Sequence, residues 1–316
     1  MKEKISHGSG QMRAQSFSIQ VSTRERCNGG CLFCISRTTP GTTVPEDPKD
    51  IQLCDFDRLR VGLNYARVLG ATHSILTSRA DPTQEENEYL IRLVALSREY
   101  LPLVDMHTNG FLLLPGRPKQ SLLGELVQAG LTHLTLSIAS DQDDINRQLM
   151  FLKESGKYVI GAALNHGILV RVSLVINKSG IADVPGIMRY IQELGDRGVH
   201  MVVVREVWIP EVYGVYNHEV YEWNLANWVN IGPLQDEFQS IAADQGNAYG
   251  LRLLDPLPWG TPVFVVGGKF RDTQHGVNVT FARCDEATTG TVMKSIVHKP
   301  NGHGYRNWAH NGDILY

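Results

Sequence analysis

Three of the chain's five cysteines fall in one short run, Arg26-Cys27-Asn28-Gly29-Gly30-Cys31-Leu32-Phe33-Cys34, spaced Cys-x3-Cys-x2-Cys. Thiolates this close suit a soft metal or an iron–sulfur cluster, because sulfur is the ligand such centres select. Gly29 and Gly30 permit the tight turn that three sulfurs converging on one point would need. Three is one short of a closed site, since a structural zinc takes four protein ligands and a cluster four thiolates. No fourth cysteine or histidine follows at local spacing, and Cys54 lies twenty residues on. Two readings stay open on these residues alone: a cluster with one iron left free for a ligand, and a structural zinc that recruits a distant Cys or His. Cys54 precedes a helix and reads as an inert thiol. Cys284, among the charges of Arg283-Cys284-Asp285-Glu286, reads either as a buried structural thiol or as a hydrogen donor or contact beside a substrate.

The elements that must position this loop are legible from hydrophobic periodicity. Ser16 to Ser22 alternates with period two and predicts a strand running into the cysteines. Thr38 to Asp50 carries three prolines and reads as an extended loop. Asp55 or Asp57 can cap a helix ending near Leu69, where Gly70 stops it. Thr72–Thr77 predicts a strand, Gln84–Tyr100 a helix, Leu103–Thr108 a strand, Lys119–Ala129 a helix and Thr132–Ala139 a strand. A helical region to about His166 precedes a strand at Leu169–Ile176, a helix at Asp183–Gly195 and an apolar strand at Val199–Arg205. Strands alternating with helices are the pattern of a parallel sheet wound in right-handed crossovers, whose strand C-terminal ends gather the functional residues. Beyond Val212 the pattern changes: Tyr213, Tyr216, Tyr221, Trp223 and Trp228 crowd one stretch and read as core or lid packing. A helix is expected over Leu234–Ala243, then short strands from Leu251 to Thr280, with a small antiparallel sheet of their own. The aromatic tail to Tyr316 is expected to dock on the barrel or cover its open face.

Composition narrows the function classes. A chain of 316 residues can bury a large core, and a net charge of −3 offers no basic footprint for nucleic acid. The polar first fifteen residues lack the apolar stretch of a signal peptide, and no apolar run reaches membrane-spanning length. An odd number of cysteines with three clustered is unlike a secreted disulfide framework, so the cytoplasm is the expected compartment. Three divisions follow: a polar tail over 1–15, a barrel over 16–211, and an extension over 212–316 with a substrate-side or lid role.

The cysteine loop after the first strand, with Phe33 before the third cysteine, resembles the radical S-adenosylmethionine (SAM) superfamily, and the resemblance spans residues 16 to 211. It implies a partial (β/α)6 TIM-like barrel of the α/β class. It implies Cys27, Cys31 and Cys34 as ligands of a [4Fe–4S] cluster whose fourth iron binds SAM, with Phe33 contacting the adenine through its backbone. Thr77-Ser78-Arg79-Ala80-Asp81-Pro82-Thr83 stands where the family carries Gly-Gly-Glu-Pro, which nominates Ser78 and Asp81 for the SAM ammonium. Thr108 and Asn109 resemble the ribose-contacting position, and Ser137 the serine that meets the methionyl or ribosyl part. The fifth strand, with Ser173, Asn177 and Lys178, resembles strands whose terminal cation meets the SAM carboxylate. Arg205 and Glu206 end the sixth strand as candidate SAM or substrate contacts, and Trp208 can flank the adenine.

The activity so implied is reductive cleavage of SAM to methionine and a 5′-deoxyadenosyl radical, which takes hydrogen from a small molecule, nucleotide or peptide. A small-molecule biosynthetic step is the preferred expectation, with flavodoxin or ferredoxin as electron donor. Only Cys284 lies beyond Cys54, so an all-cysteine auxiliary cluster is not expected. The alternatives are an activating enzyme that installs a radical on a partner protein, and a non-catalytic zinc or iron–sulfur protein.

Overall fold

The computed structural model describes residues 12–38, 51–210, 217–257, 260–267, 276–282, 292–308 and 314–316. Its centre is the expected alternation. The strands are β1 (Arg13–Gln20), β2 (His73–Thr77), β3 (Leu103–Thr108), β4 (His133–Ser137), β5 (Leu169–Val175) and β6 (Met201–Arg205). A single turn, α1 (Ile35–Thr38), follows the cysteines. The crossover helices are α2 (Phe56–Val68), α3 (Asn87–Tyr100), α4 (Leu122–Gln128), α5 (Asp143–Met150), α6 (Ile160–Asn165) and α7 (Val184–Asp196). Asp55 caps α2, its carboxylate accepting from the Asp57 and Arg58 amides, and Asp183 caps α7 through the Gly186 amide.

Every neighbouring pair from β1 to β6 is parallel. One face of this sheet is apolar and fully buried beneath the helices: Val104, Met106, Leu134, Leu136, Val170, Val172, Val202 and Val204 join one core. The alternate residues of the same strands, Asp105, His107, Thr135, Ser137, Arg171, Ser173 and Arg205, face the other way and are largely polar. The barrel is therefore apolar outside, under its helices, and polar on its concave side.

The chain past residue 216 differs from the expectation. Helix α8 (His218–Asn227) occupies the aromatic stretch, with Tyr221 buried, and α9 (Ile231–Ala243) follows. The strands β7 (Leu251–Leu254), β8 (Val263–Val266), β9 (Val277–Ala282), β10 (Val292–His298) and β11 (Gly304–Tyr305) do not form a sheet of their own. They extend both edges of the barrel sheet, in the order β11-β10-β1-β2-β3-β4-β5-β6-β9-β8-β7, which stays open. On one side β9 pairs parallel with β6 and carries the antiparallel β8 and β7; on the other, β10 pairs parallel with β1. An unpaired edge of β1 or β6 would leave backbone donors and acceptors open, and these additions satisfy them. Tyr213, Tyr216 and Cys284 lie outside the described residues.

The last residue described packs on the helix side of β10. Tyr316 Oη lies 3.0 Å from His298 Nδ1, and its ring meets Tyr65 edge-on. Gly62 of α2 makes the room: a Cβ there would lie 2.0 Å from Tyr316 Oη and 2.8 Å from the Phe17 ring. Helix propensity alone favours Ala over Gly by about 1 kcal/mol. Gly62→Ala is expected to reverse that sign and destabilise the protein by about 1–3 kcal/mol, the range for overpacked cores, read as a lowered chemical-denaturation midpoint.

Candidate cluster and cofactor site

The cysteine loop leaves the C-terminal end of β1 and is braced from three directions. On the β2 side, Gln84 grips it with both ends of its amide: Oε1 accepts from the Asn28 N–H at 3.0 Å, and Nε2 donates to the Arg26 carbonyl at 3.1 Å. Glu85, buried next to it, accepts from Ser22 Oγ at 2.7 Å and from Arg24 Nε and Nη2 at 2.9 and 3.1 Å. The Arg24 guanidinium is held above its ordinary value, chiefly by that hydrogen bond. A two-point Arg–carboxylate contact fixes direction as well as distance, so the approach to Cys27 is set before any metal arrives.

From the far side, α5 ends on Phe151 at φ 53, and the carbonyls left over at a helix C-terminus are taken by the loop. Gly30 N–H donates to Met150 O at 2.9 Å and Leu32 N–H to Leu149 O at 3.0 Å. Here the glycines act otherwise than expected. Neither adopts a positive φ; a Cβ at Gly29 would lie 3.3 Å from Met150 O, and one at Gly30 3.2 Å from Phe151 Cβ. They serve close approach to α5, not a left-handed turn. From below, Arg37 Nη1 donates to the Gly30 and Cys31 carbonyls at 2.9 and 3.3 Å. Arg79 pairs with Glu25 at 2.5 Å and donates to Ser36 O at 2.6 Å, tying both flanks of the loop to the end of β2.

The three loop thiols are free and half-buried. Burial pushes the Cys27 thiol up to about 11, against a lowering by the Gly29 amide, and raises Cys31 well above its ordinary value, with Cys34 and Cys27 adding to it. Donors nonetheless face the Cys27 sulfur: Gly29 N–H at 3.5 Å and Asn109 Nδ2 at 4.0 Å. Among the described residues no three His, Cys, Asp or Glu side chains close on a single metal-ion position.

No protein-family model matches the chain. A probable GTP 3′,8-cyclase of Halobacterium salinarum is 28% identical over 179 residues, 55% of this chain and 46% of that protein. The GTP 3′,8-cyclase of a Sulfurovum species is 27% identical over 174 residues, 52% of this chain and 49% of the other. The chain thus spans about half the length of the curated relatives it matches. Among solved structures, S-adenosylmethionine-bound SuiB of Streptococcus suis shares the fold with a TM-score of 0.60 at 12% identity, over 96% of this chain and 63% of that one. The FeFe-hydrogenase maturase HydG of Carboxydothermus hydrogenoformans does so with a TM-score of 0.55 at 13% identity, over 96% and 64%. These likenesses accord with the resemblance of the cysteine loop to the radical SAM superfamily.

The nominated residues fall into three groups. The first surrounds the loop. Asp81, buried, accepts from the Thr83 amide at 2.9 Å, from Thr108 Oγ1 at 2.9 Å and from the Asn109 amide at 2.6 Å, which locks the end of β3 to the end of β2. Its carboxylate is occupied by the protein, and the hydrogen bonds that occupy it position Asn109, whose Nδ2 reaches Asn28 Oδ1 at 2.8 Å beside Cys27. Ser78 Oγ donates to Ser22 O at 3.2 Å. Phe33 packs with Cys31 on Ala139, Leu149, Met150 and Leu152.

The second group lies further round the sheet. Ser137 pairs in register with Ser173, and Ser173 Oγ accepts from Arg205 Nε at 3.0 Å. Asn177 is buried at the end of β5, where its Nδ2 donates to Val175 O. The third group points to the added helices. Lys178 is exposed, with its amide donating to Asn227 O and its Nζ to Ala226 O at the end of α8. Glu206 Oε1 accepts from the Ile231 amide at the start of α9, and the Trp208 carbonyl accepts from Asn224.

Two buried atoms on this face have no hydrogen-bond partner among the described residues: Asn28 Nδ2 and Asn177 Oδ1. A buried polar atom without a partner costs about 1–3 kcal/mol, so one donor and one acceptor stand open to a polar ligand beside the loop and at the end of β5. Three soft thiols, a sulfur facing N–H donors and these two groups fit a [4Fe–4S] cluster with an open iron and SAM as its ligand.

The braces were not among the nominated residues. Gln84 and Glu85 follow Asp81-Pro82-Thr83 directly, so the acidic turn that was singled out carried its functional neighbours unmarked. Gln84→Ala is expected to lower bound iron per chain and speed iron loss to a chelator several-fold, with little change in thermal stability. Equal iron retention in variant and wild type would show that the loop does not need this clamp.

Proposed function

We propose that this chain binds a [4Fe–4S] cluster through Cys27, Cys31 and Cys34, binds SAM at the open iron, and removes hydrogen from a small molecule on the concave face of its barrel. The observation that carries the reading is the braced three-thiol loop at the end of the first strand of an open parallel barrel. Reduced and bound to SAM, such a cluster supplies a 5′-deoxyadenosyl radical and methionine.

The chain's own residues hold, orient and shield. Gln84, Glu85 and the α5 terminus fix the loop that carries the three thiols. Asn28 Nδ2 and Asn177 Oδ1 offer SAM one donor and one acceptor, and Phe33 backs the loop against apolar side chains that exclude water. Asp81 acts as a positioning residue by holding Asn109 against the Cys27 sulfur. Ser137, Ser173 and Arg205 line the concave side and can hydrogen-bond a polar substrate. GTP, named for the curated relatives, is the first substrate to test, and a flavodoxin or ferredoxin would deliver the electron.

Anaerobic reconstitution with iron and sulfide is expected to give about four irons per chain. Dithionite and SAM should then yield 5′-deoxyadenosine in the wild type, and none in Cys27→Ala, Cys31→Ala or Cys34→Ala. A colourless zinc protein that leaves SAM intact would falsify the reading.

A further inference from the structure

One group of side chains on the concave face takes no part in holding the loop. Asp105 of β3 is 1% exposed, a carboxylate inside the sheet. Thr135 Oγ1 donates to its two oxygens at 2.9 and 3.0 Å, and Arg171 Nη2 pairs with Oδ2. Arg171 Nε in turn donates to Thr135 Oγ1 at 2.8 Å. Burial alone would raise the Asp105 carboxyl, but the Arg171 guanidinium, helped by the Thr135 hydrogen bond, holds it well below the usual carboxylate range. Its charge is thus settled inside the network.

His107 stands two residues beyond Asp105 on β3, toward the strand end that carries Thr108 and Asn109. Its Nε2 lies 3.0 Å from Arg171 Nη2 and 3.3 Å from Asp105 Oδ2. A guanidinium nitrogen only donates. A proton on Nε2 would therefore set two N–H groups against each other at the shorter of these distances. Nε2 must accept from Arg171, which leaves the ring proton on Nδ1. Burial lowers the imidazole's affinity for a second proton, with Arg171 and Arg205 opposing it against Asp105. Nδ1 has no hydrogen-bond partner among the described residues and is not among the buried atoms left unsatisfied, and the side chain is 25% exposed. It opens onto the concave side.

We propose that His107, fixed by Arg171 as the neutral Nδ1–H tautomer, donates a hydrogen bond to the substrate. The site then takes a molecule with an acceptor oxygen or unprotonated nitrogen at that point, and His107 is a specificity residue rather than a base. Arg171, Asp105 and Thr135 are positioning residues that act through it. This inference rests on the reading that the concave face holds the substrate.

The test uses cluster-loaded full chain labelled with ¹⁵N-histidine, the His107 signals being identified by their absence in His107→Asn. At pH 7 a protonated Nδ1 and an unprotonated Nε2 are expected; protonation at Nε2, or at both nitrogens, overturns the proposal. GTP binding then tests the donor role. His107→Asn, whose amide nitrogen can replace Nδ1, should bind GTP within about threefold of wild type, and His107→Leu about tenfold more weakly, the range for one hydrogen bond. Equal binding by wild type and His107→Leu overturns the donor role. A wild type that forms 5′-deoxyadenosine but binds no GTP fails the substrate assignment, and the ring tautomer then decides the assignment of His107.

Discussion

A metal site that keeps one coordination position open cannot rely on the metal to fold its own loop, because three ligands leave the loop free to collapse on a fourth. The double hydrogen bond of Gln84 across Asn28 and Arg26 answers that constraint. Around it, Glu85 fixes Arg24, Arg79 spans Glu25 and Ser36, and the spent end of α5 takes the Gly30 and Leu32 amides. The braces come from the segment after β2 and from α5, which follows β4, so the geometry of the loop depends on the parallel sheet being assembled. This also gives Gly29 and Gly30 their purpose, since a Cβ there would sit 3.3 and 3.2 Å from the end of α5, closer than it ordinarily packs.

The sheet divides the work between its faces. The helix side is a continuous apolar core, from Phe17 and Ile19 through Val104 and Val172 to Phe281. Burying that much apolar surface supplies stability that a polar concave side does not have to contribute. The concave side can therefore carry Asp105, His107, Thr135, Arg171, Ser173 and Arg205, provided their polar groups satisfy one another. Arg171 illustrates the economy of the arrangement: one guanidinium neutralises Asp105, orders Thr135 and sets the tautomer of His107.

Much of this was legible in the sequence because it depends on local pattern. Six strands, their crossover helices and the Asp55 cap follow from period-two and helical spacing and cap chemistry, and the cysteine run from its own density. What stayed hidden depends on contacts between distant segments. β10 (Val292–His298) mixes Lys294 and Ser295 with apolar residues, and its partner β1 lies near the other end of the chain. Helix α8 has apolar residues on all sides, so no stripe marks it as helical. A glutamine carries no chemical signature, so Gln84 was invisible beside Asp81. Lys178 and Glu206 showed the reverse: the right residue types at the right strand ends, but turned to α8 and α9.

The central claim is that the loop leaves an iron open and that SAM is its ligand. The electron paramagnetic resonance spectrum of the dithionite-reduced, reconstituted protein tests this most directly. The account predicts a [4Fe–4S] signal whose g-values shift when SAM is added. A signal identical with and without SAM, or no cluster signal at all, would contradict it.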